Sequence, residues 1–259
     1  MRYAGPLDFL PLWALFVLTV GLVLLCLEAG FRLGRRRAES DDPEKESSAG
    51  AMANASLALL AFLLAFTFGF AASRVEARRT LMLDEVNAIG TTYLRTGTLP
   101  EAERVTPRAL LREYVDTRLA AARSEDIEVQ IRRSLELQQR LWEHAATLAE
   151  RQPTSIVVGL YLQALNETID LHTKRVTEAV RVRVPGIFWV VLYAVTALAM
   201  AEMGYHTGLS GLRRPLSTPA LALAFASVVF LIADLDRPQS GWVRGSQEPM
   251  VELRQSMAE

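Results

Sequence analysis

Four stretches of this chain run without a charged side chain over a length that crosses roughly 30 Å of hydrocarbon, which takes about 20 helical residues. They are residues 9–27 between Asp8 and Glu28, 47–73 between Glu46 and Arg74, 184–201 closing at Glu202, and 215–233 closing at Asp234. A backbone inside lipid has to satisfy its own hydrogen bonds, so each stretch is expected to be a helix. The expectation is an all-α integral membrane protein with four transmembrane helices: one within residues 1–37, then 55–73, 184–203 and 215–233. These blocks account for a mean hydropathy of +0.18 in a chain that is 22% charged.

The first block is N-terminal but is not read as a signal peptide. Arg2 is its only flanking charge, it exceeds a typical signal core, and CLE at 26–28 followed by RRR at 35–37 is no small-residue cleavage site. Residues 38–54 begin with AESDDPEKESSAG, which offers no apolar face, and are expected to form a polar loop. A formal net charge of -1 with no basic tail gives a phosphate backbone little to hold, so nucleic-acid binding is excluded. The single cysteine, Cys26, rules out an intramolecular disulfide framework or a Cys-based metal cluster.

Between the second and third blocks, residues 74–183 carry 17 basic and 16 acidic side chains, so this insert lies outside the bilayer. Gly97 and Pro100 close one helical segment, Pro107 sits near the start of the next, and Pro153 separates the last two. Tyr161, Leu165, Ile169, His172, Val176 and Val180 follow helical steps up to Pro185. The second and third membrane helices are therefore expected to leave the bilayer as continuous rods, with two shorter helices packed between them. Residues 234–259 form a C-terminal tail.

Basic residues near the membrane set orientation. Arg32, Arg35, Arg36, Arg37, Lys45, Arg213 and Arg214 lie on one side. Arg2, Arg74, Arg78, Arg79, Lys174, Arg175, Arg181, Arg183, Arg237, Arg244 and Arg254 lie on the other, along with the insert and both termini. The larger sum places the insert and both termini in the cytoplasm of a bacterial inner membrane, against the pull of the RRR run.

The strongest local pattern is in the second block. Phe62, Phe66 and Phe70 recur at four-residue steps, which puts them along one face. Ala61, Ala65, Gly69 and Ser73 recur one residue earlier, and such a small-residue stripe lets a neighbouring helix approach closely. The three Phe either face lipid, fill a bundle core, or form a ring around an axis shared by several subunits. Such a ring makes a dry constriction that gates ions by dewetting.

The stretch LLAFLLAFTFGFAASRVEARR at 59–79 resembles the second helix of the bestrophin ion channels, with Gly69-Phe70 followed by Arg78. DLDRPQSG at 234–241 resembles the segment after their last membrane helix, although Gln239 stands where Phe is expected and no long acidic run follows. The closer likeness is to the bacterial bestrophin-like domain family, carried by EVNAIG at 85–90, LNETIDLH at 165–172 and DRP at 236–238, within a domain at 55–259. The resemblance implies a homo-oligomer, a pentamer, that passes small inorganic ions through a neck lined by Phe62, Phe66 and Phe70, in contact with membrane lipid and without a cofactor.

Asp234, Asp236, Arg237 and Pro238 end the fourth helix, either as a chain reversal held by local ion pairs or as a cation-attracting rim. Glu28, Glu202 and His206 lie at helix ends, where they anchor at the interface. His172 falls on an apolar stripe and is expected to be a hydrogen-bonded core histidine. Neither HExxH, nor a nucleophile elbow, nor a Walker loop occurs, so no enzymatic activity and no metal site is expected. The competing reading, from another functional class, is a membrane-anchored sensor or scaffold whose insert binds a partner.

Overall fold

The computed structural model describes residues 7–37, 43–122, 126–211, 217–237, 241–242 and 246–258. Every regular element among them is a helix: α1 (Leu12–Arg37), α2 (Pro43–Thr96), α3 (Glu101–Ala121), α4 (Ile127–Arg151), α5 (Ile156–Val176), α6 (Gly186–Leu209), α7 (Ser217–Asp236) and α8 (Glu248–Ser256). The chain forms two units, Met1–Val75 with Arg183–Val243, and Glu76–Val182 with Arg244–Glu259.

The first unit holds α1, the beginning of α2, α6 and α7, the four helices long and apolar enough to span a membrane. Within α2 the spanning part is confined to the uncharged residues 47–73, since Arg74, Glu76, Arg78 and Arg79 follow at once. The buried core combines Leu15, Val23 and Leu27 of α1 with Leu60 and Leu64 of α2, Trp189, Leu192 and Met200 of α6, and Val229 and Ile232 of α7. Lipid tails are as apolar as these side chains, so helix association here depends on close packing and polar links. The closest packing lies between α1 and α6. A Cβ on Gly34 would come within 3.1 Å of the Cα of Gly208, and one on Gly204 within 3.0 Å of the Cα of Leu27. Gly30 faces the Ala201 carbonyl in the same manner. Thr19 adds a polar link, its hydroxyl 2.8 Å from the Tyr193 hydroxyl.

Two sequence expectations change here. Residues 43–54, expected as loop, are helical, because α2 starts at Pro43. Proline suits the first helical position, where its missing N–H is no loss. This extension is packed: Ala53 is buried and Gly50 faces the His206 ring. The continuous rod expected through the third membrane helix is also interrupted. After α5 a π-helical turn covers Thr177–Arg181, Val182 is extended, and α6 starts after Pro185. Proline has no N–H to bond to the fourth residue back and pushes its predecessor out of helical geometry. By contrast α2 continues without a break to Thr96.

The second unit packs α3, α4, α5, α8 and the later part of α2 around Met82, Ile89, Leu111, Tyr114, Leu137, Leu141, Tyr161, Leu165, Met250 and Met257. In α4 the buried Leu137, Leu141, Ala145 and Leu148 recur at steps of four, four and three. Asp126 and Ser155 cap α4 and α5 by accepting from the backbone N–H groups of Val129 and Val158, each at 3.4 Å.

Candidate functional site

In the first unit, α2 has two unlike sides. Leu60, Leu64, Thr67 and Ala71 are buried against the other helices, whereas Phe62 is 66% and Phe66 55% exposed. Ala61, Ala65, Gly69 and Ser73 are exposed as well. A Cβ on Gly69 would meet open space among the described residues. The small-residue stripe is therefore left on the exposed side of α2 among the described residues. Close helix approach falls to Gly30, Gly34, Gly204 and Gly208, two Gly-xxx-Gly pairs legible in the sequence but not singled out from it.

Phe70 departs from the other two rings. It is half-buried and stacks on Phe188 of α6, with ring centroids 6.1 Å apart and planes at 9°, while the Arg74 guanidinium lies 4.8 Å over its centroid. Four residues of a 3.6-residue helix overshoot a full turn by about 40°, so two such steps rotate the row by about 80°. Phe62 and Phe66 thus point away from the buried side, and Phe70 has turned toward it. The three rings do not share one face.

The residues after the fourth membrane helix form a buried knot in the same unit. Asp236 accepts the Val184 N–H at 2.8 Å, its backbone carbonyl accepts from Arg183, and Arg183 also reaches Asp8 at 2.9 Å. Arg237 stands 3.3 Å from Asp8 and donates to the Leu7 and Leu10 carbonyls at 2.5 and 2.8 Å. Asp234 accepts the Trp242 N–H at 2.6 Å. All three side chains are buried. Of the two readings open for these residues, the geometry is that of a chain reversal which ties the start of α1 to the segment before α6. An exposed rim does not describe them. Pro238 lies outside the described residues.

A second polar cluster, in the other unit, was not assembled from the sequence. Glu85 of α2 has 0% of its surface exposed. Its carboxylate is 3.0 Å from Arg118 Nε of α3, is paired with Arg175 of α5, and accepts the Tyr114 hydroxyl at 3.0 Å. His172 Nδ1 lies 3.0 Å from that hydroxyl and 3.7 Å from Glu85 Oε1, and Gln138 of α4 donates to Tyr114 Oη at 3.2 Å. His172 is the hydrogen-bonded core histidine the sequence leads one to expect. Burial alone would raise the Glu85 pKa, but Arg118, the His172 hydrogen bond and Arg175 outweigh it and hold the carboxyl far below the usual carboxylate range. Burial lowers the His172 pKa, so the ring is neutral near pH 7. Glu85 and His172 belong to EVNAIG and LNETIDLH, two of the segments that carry the family resemblance. The 74 residues between the two segments hide the contact from any local pattern.

Among the described residues no group of three His, Cys, Asp or Glu side chains could hold a metal ion. Glu85 meets cationic partners and a tyrosine, an arrangement suited to locking four helices together and lacking an accessible reacting group.

The chain matches a family model described as the Bestrophin-like domain over residues 15–250. Its fold is similar to a substituted variant of a bacterial bestrophin homolog from Klebsiella pneumoniae, with a TM-score of 0.63 at 14% identity, covering 95% of this chain and 97% of that one. A second variant of that homolog gives 0.62 at 16% identity, covering 94% and 96%. A structure described only as a membrane protein gives 0.63 at 14%, covering 95% and 97%. No curated protein matches the chain.

Proposed function

Because the chain belongs to the bestrophin-like family, we propose that this multi-pass membrane protein is a homo-oligomeric, pentameric ion channel whose α2 helices line the pore. The observation that carries the reading is the exposed side of α2: two large rings, Phe62 and Phe66, beside a strip of small residues, opposite a side fully used for packing. In an oligomer Ala61, Ala65 and Gly69 let the next α2 approach closely, which brings the Phe rings around the axis. Phe62 and Phe66 form a dry neck that passes ions only when wetted. Phe70 marks the neck's end and fixes α2 on α6 through Phe188. The helical unit and both termini face the cytoplasm.

Two substitutions in reconstituted protein test this. Phe66→Ala widens the neck and is expected to raise liposome ion flux several-fold with assembly intact. Gly69→Leu has free space within one chain, so any loss of oligomer it causes reports contact with another copy. An unchanged flux in Phe66→Ala together with an intact oligomer in Gly69→Leu would place this side against lipid and favour the membrane-anchored sensor or scaffold. For orientation, a cysteine at the exposed Thr98 in a Cys26→Ser background is expected to resist an impermeant label in intact cells. Labelling from outside would put the helical unit in the periplasm.

A further inference from the structure

Arg104, Arg108 and Arg112 recur at four-residue steps in α3, and Arg95 stands near the end of α2. All four are half-buried, and among the described residues none is paired with a carboxylate. Each is instead held in place by neutral oxygens. Arg104 Nε donates to the Leu99 carbonyl at 2.5 Å, Arg108 Nε to Thr96 Oγ1 at 3.2 Å, and Arg95 Nη1 to the Leu160 carbonyl at 2.5 Å. Arg112 donates to the Met257 carbonyl and the Tyr93 hydroxyl, each at 2.7 Å. The Arg108 and Arg112 guanidiniums lie 5.1 and 5.6 Å from the centre of the same Tyr93 ring.

Three of the four acids of α3 are engaged elsewhere, Glu103 with Arg151 and His144, Glu113 with Arg133 and Asp116 with Arg254, while Glu101 is exposed at the helix start. Like charges four residues apart on a helix repel. Arg104, Arg108 and Arg112 therefore repel one another along α3, while tyrosine, threonine and backbone oxygens hold the three guanidiniums in position. Arg108 packs closely on Gly97, where a Cβ would come within 3.1 Å of its Nη2.

We propose that Arg104, Arg108 and Arg112 form a binding site for a multivalent phosphate group. The guanidinium fork matches phosphate oxygens in bidentate fashion. The row from Arg104 to Arg112 rises about 12 Å along the helix, so it can engage more than one phosphate. A soluble polyphosphate and a phosphorylated lipid headgroup share this chemistry. The site does not depend on whether the protein conducts ions.

The test uses the full chain in phosphatidylcholine nanodiscs, with tripolyphosphate titrated at constant ionic strength and sulfate as the comparison. Tripolyphosphate is expected to raise the melting temperature at concentrations where sulfate has no effect. Arg104→Gln/Arg108→Gln is expected to weaken that response at least tenfold, while Arg132→Gln/Arg140→Gln on exposed α4 positions leaves it unchanged. Arg108→Lys keeps the charge but not the fork, and serves if the double variant does not fold; it is expected to weaken the response as well. If the source is lipid, adding phosphatidic acid, whose headgroup is a phosphomonoester, to the nanodiscs raises the melting temperature in the wild type but not in the arginine variants, and abolishes the tripolyphosphate response. No shift from either source, an equal shift in the arginine variants, or a larger shift from polyglutamate at equal charge would overturn the proposal.

Discussion

Replacing Glu85 by Gln keeps the volume of the side chain and removes the carboxylate that Arg118 and Arg175 share. The Arg118 guanidinium stays buried and that of Arg175 half-buried, and the Tyr114 hydroxyl and His172 lose their charged partner. Removing one member of a buried ion pair typically costs about 3 to 5 kcal/mol, because the remaining charge is left without compensation. For a unit of this size each kcal/mol lowers the melting temperature by about 4 °C, so Glu85→Gln is expected to melt about 12 to 20 °C below the wild type. The assay is thermal melting of the detergent-purified protein followed by circular dichroism at pH 7.5. The pH dependence has a definite sign. Glu85 has a depressed pKa, so the stability it contributes is present above the ordinary carboxylate range and is lost as pH falls below about 4.3. His172 also has a lowered pKa, so below about pH 6.5 the unfolded chain binds a proton that the folded one refuses, and stability falls there too. Two acid-side losses are expected in the wild type, and His172→Gln is expected to remove the one at higher pH. A Glu85→Gln protein melting within about 3 °C of the wild type would refute the assignment of the cluster as the lock of this unit.

Gly204→Val drives side-chain atoms into the Leu27 backbone of α1 and is expected to cost about 3 kcal/mol or more, seen as loss of folded protein on gel filtration. Full yield and an unchanged melting temperature would mean that α1 and α6 can part without penalty. Asp236→Ala leaves the buried Val184 N–H without its acceptor, an expected loss of about 1 to 3 kcal/mol in a denaturant titration, and an unchanged midpoint would contradict it.

The sequence alone determined the class of this protein, because the cost of unsatisfied backbone in hydrocarbon leaves uncharged 20-residue blocks little choice but helix. It likewise placed the helical insert, the core histidine His172 and the family. Local composition misjudged residues 43–54, since polar residues that look loop-like also suit the first turns of a helix, and it read through the interruption before Pro185. Spacing marked Phe62, Phe66 and Phe70 as one row. Only the packed helix showed the third ring turned onto Phe188, because a four-residue step slowly winds around a 3.6-residue helix. The same holds for which small residues pack: Ala61, Ala65 and Gly69 are as small as Gly30, Gly34, Gly204 and Gly208, yet among the described residues the former are exposed and the latter meet the backbone of a neighbouring helix. Glu85 shows the limit most plainly. A charge in an amphipathic helix is ordinarily solvated, and only the folding of α2, α3 and α5 onto one another brings Arg118, Tyr114, His172 and Arg175 from distant positions to surround it.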